Sequence, residues 1–124
     1  MSRFFILSGV VLSGLGVLIG AFGAHKLNGY LKGINRLDTF ETAVKYQFYH
    51  ALGLILIGIL MHLFQQNMIK TSGLFMLIGI IVFSGSLYTL CATNIGKWGA
   101  VTPIGGVLLL VAWALLFMGV WQAK

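Results

Sequence analysis

Four long apolar runs, separated by short polar segments, are the dominant pattern of this sequence. They cover residues 4–24, 46–64, 73–92 and 100–121. A helix needs about 20 predominantly apolar residues to cross the hydrocarbon core of a bilayer, and each run approaches or reaches that length. A helix that is apolar on every side must be buried or surrounded by lipid. The pattern therefore predicts four transmembrane helices.

The segment of residues 26–45 is the only long connection, and it joins the first two predicted spans. The Asn28-Gly29 pair predicts a turn within it, because both residue types favour turn conformations. The other two connections, residues 65–72 and 93–99, are short polar hairpins. This pattern predicts an up-down arrangement, with a partly helical first connection at the membrane interface.

The second helix is predicted to begin at Asp38, because Asp38 and Glu41 have the spacing of a capping box. From there to the end of its apolar run the helix would be about 39 Å long, at 1.5 Å per residue. That length exceeds the hydrocarbon core, so its first two turns are expected at headgroup level. Glu41 and Lys45 are expected to pair there, and His50 is expected one to two turns below the interface.

Composition supports a membrane protein: 59% of the residues are hydrophobic, 8% are charged, and the mean hydropathy is +0.99. Soluble domains carry about 25% charged residues, so this chain has too few to cover a particle in water. The predicted fold class is therefore an all-α, integral membrane four-helix bundle, formed by residues 1–124 as one domain. Cys91 is the only cysteine, which excludes an intrachain disulfide and a CxxC metal site.

The net charge of +6 predicts contact with anionic lipid headgroups. The basic residues are scattered between apolar runs without a nucleic-acid-binding motif, so membrane lipids are the expected partners and nucleic acid is not. The side that holds the first and third connections, here called face B, carries five basic residues: Lys26, Lys32, Arg36, Lys45 and Lys97. The opposite side, face A, carries Arg3, Lys70 and Lys124. Positive loops favour the cytoplasm, which predicts a cytoplasmic face B and both termini outside.

The polar residues of the four runs are concentrated in the half of the bundle next to face B. The four-span arrangement brings the end of the first helix, the start of the second, the end of the third and the start of the fourth to that side. The candidate site is this predicted polar cluster, which consists of His25, Glu41, Lys45, Tyr46, Gln47, Tyr49, His50, Ser84, Ser86, Tyr88 and Thr102.

Two interpretations of the cluster stay open. In the first, the polar side chains form hydrogen bonds between helices, and the protein works through lipid or protein contacts without catalysis. In the second, the His, Gln and Tyr side chains form a solute or proton site of a transporter or channel subunit, since ionisable groups inside a membrane are functional candidates. Such a subunit would need a wet cavity and, with only four apolar helices, an oligomer.

Metal binding and catalysis have less support in the sequence. His25 and His50 could together bind a metal or haem, but no third Cys, His or carboxylate has suitable spacing. The two acidic residues, Asp38 and Glu41, lie together at a helix start and form no acid–base pair for catalysis. We therefore expect no catalytic residue, no metal and no cofactor.

Glycine is abundant in the first run, where Gly16, Gly20 and Ala24 recur at intervals of four. Small residues at this spacing let another helix approach closely. The partner is either a helix of the same chain, which we favour, or the first helix of a second copy in a homo-oligomer.

Four motifs in order resemble a known family: Gly20-Ala-Phe-Gly-Ala-His25, Glu41-Thr-Ala-Val-Lys-Tyr-Gln-Phe-Tyr-His50, Phe83-Ser-Gly-Ser-Leu-Tyr88 and Thr102-Pro-Ile-Gly-Gly106. The chain is similar over nearly its whole length to the YwdK/YgdD family of small bacterial inner-membrane proteins, which has a small eukaryotic transmembrane relative. Lys26 departs from the pattern, which has Gly after the histidine. The resemblance implies four spans in a bacterial inner membrane. It implies no catalytic or binding residue.

Overall fold

Four long helices, one short helix and one 3-10 turn make up the structure, a computed structural model that describes residues 1–124. The elements are α1 (Ser2–Ala24), α2 (Asn28–Gly33), α3 (Leu37–Leu63), α4 (Asn67–Thr93), a 3-10 turn (Gly96–Ala100) and α5 (Thr102–Trp121). No strand is present. The predicted all-α fold class, including the partly helical first connection, is confirmed.

The four long helices are each long and apolar enough to cross a membrane. α3 and α4 contain 27 residues each, which corresponds to about 40 Å at 1.5 Å per residue. Consecutive long helices run in opposite directions, as the up-down prediction requires. Large apolar side chains such as Leu63, Leu110 and Trp121 cover the outside of the bundle, because its solvent is lipid.

α3 and α4 are the two central helices. α1 packs chiefly against α3, α3 against α4, and α4 against α5. The main core lies between these helices and is formed by Phe5, Leu54, Ile57, Ile69, Met76, Ile80, Leu109, Ala112 and Leu116.

Glycines allow α1 to approach α3 closely. A Cβ added at Gly9 would lie 2.5 Å from the Ala51 carbonyl oxygen, and one at Gly16 would lie 2.7 Å from the Phe48 ring. Gly20 faces Val44. The small-residue face of α1 therefore packs within its own chain, and the homo-oligomer through this helix stays a prediction.

Three contacts fix the register of α1 against α3. Gly23 lies opposite Phe40, the Leu12 carbonyl is bonded to Gln47, and Ser2 is bonded to His62. His50 is the central residue of Leu37–Leu63, so it lies near the middle of the bundle. Because the 27 residues of α3 are longer than the hydrocarbon core, the middle of the helix need not be the middle of the membrane. The depth of His50, one to two turns below the interface, therefore stays a prediction.

The predicted capping box at the start of α3 does not form. The helix begins at Leu37, one residue before the predicted start, and no side chain caps it. Asp38 instead lies in the first turn, where a carboxylate interacts favourably with the helix dipole. The Thr42 hydroxyl donates to the Asp38 carbonyl at 2.9 Å.

α2 packs over the face-B end of the bundle. Leu31 is 1% exposed and packs against Phe40 and Cys91. The Tyr30 hydroxyl donates to the Cys91 carbonyl at 3.0 Å, which satisfies an oxygen in the last turn of α4. These contacts attach the first connection to α3 and α4.

Candidate functional site

Gln47 is the side chain that joins three helices. It lies on α3 and is 3% exposed. Its amide Nε2 donates to the Leu12 carbonyl of α1 at 2.8 Å, and its Oε1 accepts from the Tyr88 hydroxyl of α4 at 2.6 Å. The Leu12 carbonyl can accept this bond in addition to its helical one, because a carbonyl oxygen has two lone pairs. Gln47 therefore connects α1, α3 and α4 through two hydrogen bonds.

His50 connects α3 with α5. Its Nε2 lies 3.0 Å from the Trp113 indole nitrogen, and its Nδ1 lies 2.8 Å from the Tyr46 carbonyl oxygen. The indole N–H can only donate and the carbonyl can only accept. The imidazole is thus neutral with its proton on Nδ1, and both ring nitrogens have partners.

Two serines of α4 bond to neighbouring elements. The Ser84 hydroxyl donates to the Ala43 carbonyl of α3 at 2.8 Å. The Ser86 hydroxyl donates to the Phe83 carbonyl at 2.8 Å and lies 2.6 Å from the Thr102 hydroxyl, the first residue of α5. Since the single Ser86 proton is used, Thr102 donates to Ser86, which ties α5 to α4.

The structure brings seven of the eleven predicted residues together along the α3–α4–α5 contacts. We call them the internal network: Tyr46, Gln47, His50, Ser84, Ser86, Tyr88 and Thr102. Tyr46 belongs to it through its carbonyl and through its ring, which stacks on His50. Tyr46 is nevertheless 40% exposed. The other four, His25, Glu41, Lys45 and Tyr49, are exposed and form no side-chain hydrogen bond within the chain.

His25 and His50, which the sequence allowed as a pair of metal or haem ligands, lie apart in the structure. His25 follows α1 at face B, beyond Gly23, which faces Phe40. His50 is about ten residues deeper on α3, or roughly 15 Å at 1.5 Å per residue. No group of three His, Cys, Asp or Glu residues could hold a metal ion. The end of α1 and the region around His50 are therefore far apart in the bundle.

Glu41 and Lys45 lie one turn apart on α3, but the expected ion pair between them does not form. Both line a cleft of about 360 Å³ between α1, α2 and α3, together with Asn28 of α2. The cleft opens at face B and is separate from the internal network.

Tyr49 lines a second, lipid-facing groove of about 600 Å³ between α3 and α5. Tyr46, His50, Phe83 and Trp113 also border this groove. Tyr49 is 58% exposed, and its hydroxyl forms no hydrogen bond within the chain. The groove is aromatic and apolar.

Sequence reasoning missed Trp113, which supplies the donor for His50. A signal was present, because an indole N–H in the middle of an apolar span needs an acceptor within the protein. It also missed the pair of Arg36 and Asn94, whose side chains meet at 3.2 Å above the end of α4. No feature of the sequence indicated that the backbone carbonyls of Leu12 and Ala43 would accept hydrogen bonds from side chains.

These features define a small multi-pass membrane protein with a hydrogen-bonded interior in one half of the bundle. Residues 19–106 match the family described as "Protein of unknown function (DUF423)". The chain therefore belongs to this family. Its similarity to curated relatives shows that it also belongs to the UPF0382 membrane proteins.

Three relatives illustrate the similarity. A UPF0382 membrane protein of Staphylococcus haemolyticus is 40% identical over 120 residues, which is 97% of each chain. UPF0382 membrane protein YwdK of Bacillus subtilis is 41% identical over 115 residues, covering 92% of this chain and 93% of the relative. UPF0382 inner membrane protein YgdD of Escherichia coli is 33% identical over 123 residues, covering 99% of this chain and 93% of the relative. No solved structure matches the chain. The predicted family and the bacterial membrane location are confirmed.

Proposed function

We propose that the protein is a non-enzymatic membrane protein that acts by contact. The internal network holds the four helices in one fixed arrangement, and the bundle presents a constant surface to lipids and to protein partners. No step of this proposal uses a catalytic group, a metal or a cofactor.

The observation that carries the proposal is that the polar side chains of the internal network already have hydrogen-bond partners within the chain. Both functional atoms of Gln47, both ring nitrogens of His50 and the hydroxyls of Ser84, Ser86 and Tyr88 have partners within the chain. Polar groups that are already paired stabilise a helix arrangement, at about 0.6 kcal/mol per interhelical bond on average. Paired groups are not available to a substrate without breaking those bonds.

The clefts favour contact over transport. The clefts described above include neither Gln47 nor Tyr88 in their linings, and the groove that Tyr46 and His50 border is aromatic and apolar. A solute or proton path would need these side chains to face water. The contact proposal needs only that they stay bonded to one another.

One experiment with Gln47→Leu tests the proposal against transport. The substitution keeps the volume nearly constant, removes two interhelical bonds and leaves the Tyr88 hydroxyl without its acceptor. We expect a loss of about 1–2 kcal/mol in the free energy of unfolding in detergent. Tyr49→Phe is the matched control, because the Tyr49 hydroxyl makes no bond within the chain, and it should leave the stability unchanged.

The same variants are then reconstituted into liposomes for a proton-flux assay with a pH-sensitive dye. The contact proposal expects the wild-type protein to give the same flux as empty liposomes. A wild-type flux that Gln47→Leu abolishes while the protein stays folded would support transport and refute the proposal.

A further inference from the structure

A cleft at the face-B end of the bundle is lined by both polar and apolar side chains. It lies between α1, α2 and α3 and measures about 360 Å³. Leu37, Phe40 and Val44 form its apolar wall, and Asn28, Glu41 and Lys45 supply its polar groups. The small residues Gly20, Gly23 and Ala24 form the α1 side. The cleft therefore offers charged, amide and apolar contacts to one bound molecule, which is what an amphipathic ligand needs.

Both charged side chains that line the cleft are unpaired. Glu41 and Lys45 are exposed, and neither has an ion-pair partner in the chain. Glu41 is one of only two acidic residues, among eight Lys and Arg residues. A surface that only attracted anionic headgroups would have no use for a carboxylate at this point. The pair instead offers one negative and one positive contact, one helical turn apart.

The depth of the two charges matches that of a phospholipid headgroup. Phe40 faces Gly23, near the last residue of α1, so Glu41 lies level with the end of that span. Lys45 lies one turn deeper on α3. Side chains on a helix lean toward its N-terminus, which for α3 is face B, so the Lys45 ammonium extends toward the interface.

We propose that this cleft binds one phospholipid whose headgroup carries both a phosphate and a primary ammonium group. Lys45 pairs with the phosphate, and Glu41 accepts hydrogen bonds from the ammonium. The acyl chains follow Val44 and Gly20 toward the bilayer centre. This goes beyond the proposed function, because the cleft is separate from the internal network.

The chemistry distinguishes this lipid from other common headgroups. An anionic headgroup without an ammonium would satisfy Lys45 but leave Glu41 without a cation to pair with. A trimethylammonium headgroup has no N–H to donate to the carboxylate. Charge-assisted hydrogen bonds are among the stronger polar contacts, so the presence or absence of one should change affinity measurably.

The test measures lipid binding to the purified, detergent-solubilised protein by native mass spectrometry. Phosphatidylethanolamine, phosphatidylglycerol and phosphatidylcholine with identical acyl chains are the probes. The wild-type protein should bind phosphatidylethanolamine roughly five- to tenfold more tightly than the other two, as expected for one charge-assisted contact. Equal binding of the three lipids, or a preference for phosphatidylglycerol, would overturn the proposal.

Two charge variants separate the contacts. Glu41→Gln should remove the preference for phosphatidylethanolamine over phosphatidylglycerol, and Lys45→Gln should weaken the binding of both. Asp38→Asn and Lys32→Gln are the matched controls, because they remove one acid and one base from the same side of the bundle outside the cleft. Wild-type selectivity in Glu41→Gln would contradict the assignment.

A steric variant and a soluble probe complete the test. Ala24 is exposed and lines the cleft, so Ala24→Trp should reduce phosphatidylethanolamine binding without disturbing the core. Water-soluble phosphoethanolamine has the same charges but no acyl chains, and it should bind much more weakly. Equal binding of phosphoethanolamine would refute a lipid site in favour of a site for the free compound. The flux and stability results with Gln47→Leu do not depend on any of these outcomes.

Discussion

The imidazole of His50 has a donor and an acceptor nitrogen, and its neighbours fix which is which. The Trp113 indole donates to Nε2, so Nδ1 carries the proton and donates to the Tyr46 carbonyl. Rotation of the ring would break both of these hydrogen bonds. At the scale of the residue, His50 is therefore a fixed contact between α3 and α5.

The tautomer can be measured by nitrogen NMR of histidine-labelled protein. We expect the His50 signals to show a neutral ring protonated at Nδ1. Trp113→Phe removes the only donor to Nε2 and should move that nitrogen's resonance. Trp121→Phe is the control, since Trp121 is 78% exposed and contacts Phe117 rather than a histidine. A neutral Nε2–H ring in the wild-type protein would contradict the assigned bonds.

Residue-level reasoning predicted that Gln47 and His50 interact with neighbouring helices, but it did not predict which groups they pair with. Residue type shows that Gln47, His50 and Tyr88 need partners in an apolar environment. It does not show that a backbone carbonyl of α1 or an indole of α5 supplies them. His25 is a second example of what residue type cannot predict. A histidine suited the polar cluster, but the position of His25 at the end of α1 keeps it out of the cluster.

At the scale of the element, the glycines of α1 differ according to the side of the helix on which they lie. Gly9 faces α3, where an added Cβ would meet the Ala51 carbonyl and the Ile55 side chain at 2.5 and 2.6 Å. Gly14 has no atom within 4 Å of an added Cβ. The two positions therefore provide a matched pair within one helix.

Gly9→Ala should destabilise the protein by about 1–3 kcal/mol, because α1 must move away from α3. Gly14→Ala should be neutral or stabilising by up to about 1 kcal/mol, because alanine is the better helix former. Thermal unfolding in detergent measures both. Destabilisation by Gly14→Ala would instead indicate that another molecule packs on that side of α1.

The short helix α2 covers the only cysteine. Cys91 is 4% exposed and packs against Leu31, and its carbonyl is bonded to Tyr30. A thiol-reactive maleimide can therefore report whether α2 stays on the bundle.

Leu31→Ala removes most of the apolar contact between α2 and Cys91, so we expect Cys91 to react with maleimide several-fold faster than in the wild-type protein. Leu27→Ala is the control, since Leu27 is 38% exposed and precedes α2. Equal reaction rates in the wild-type protein and Leu31→Ala would show that α2 does not limit access to the thiol.

At the scale of the whole molecule, charge predicts the orientation in the membrane. Face B carries more basic residues than face A, although Arg3 beside α1 opposes the difference. The rule that positive loops stay in the cytoplasm gives a cytoplasmic face B.

Fusions to the C-terminus test this orientation. Trp121 ends α5 at face A, so an alkaline phosphatase fused after Lys124 should be active and a green fluorescent protein there should be dark. The reverse pattern would place face A in the cytoplasm. It would leave the fold unchanged and would place the Glu41–Lys45 cleft in the outer leaflet.

The sequence by itself determined the four spans, the interfacial first connection and the concentration of polar residues toward face B. These follow from one requirement, that a helix in lipid must be apolar along its length and bonded within itself. The length and order of the apolar runs are enough to meet this requirement, so the spans can be predicted directly from the sequence.

Only the tertiary structure decided which side of each helix meets which neighbour. In water, a helix shows its buried side by a stripe of apolar residues. In lipid that stripe is missing, because the surroundings are as apolar as the helix contacts. The rotation and register of α1, α3 and α5 therefore placed Gln47 against Leu12, His50 beside Trp113, and Glu41 and Lys45 at a separate cleft.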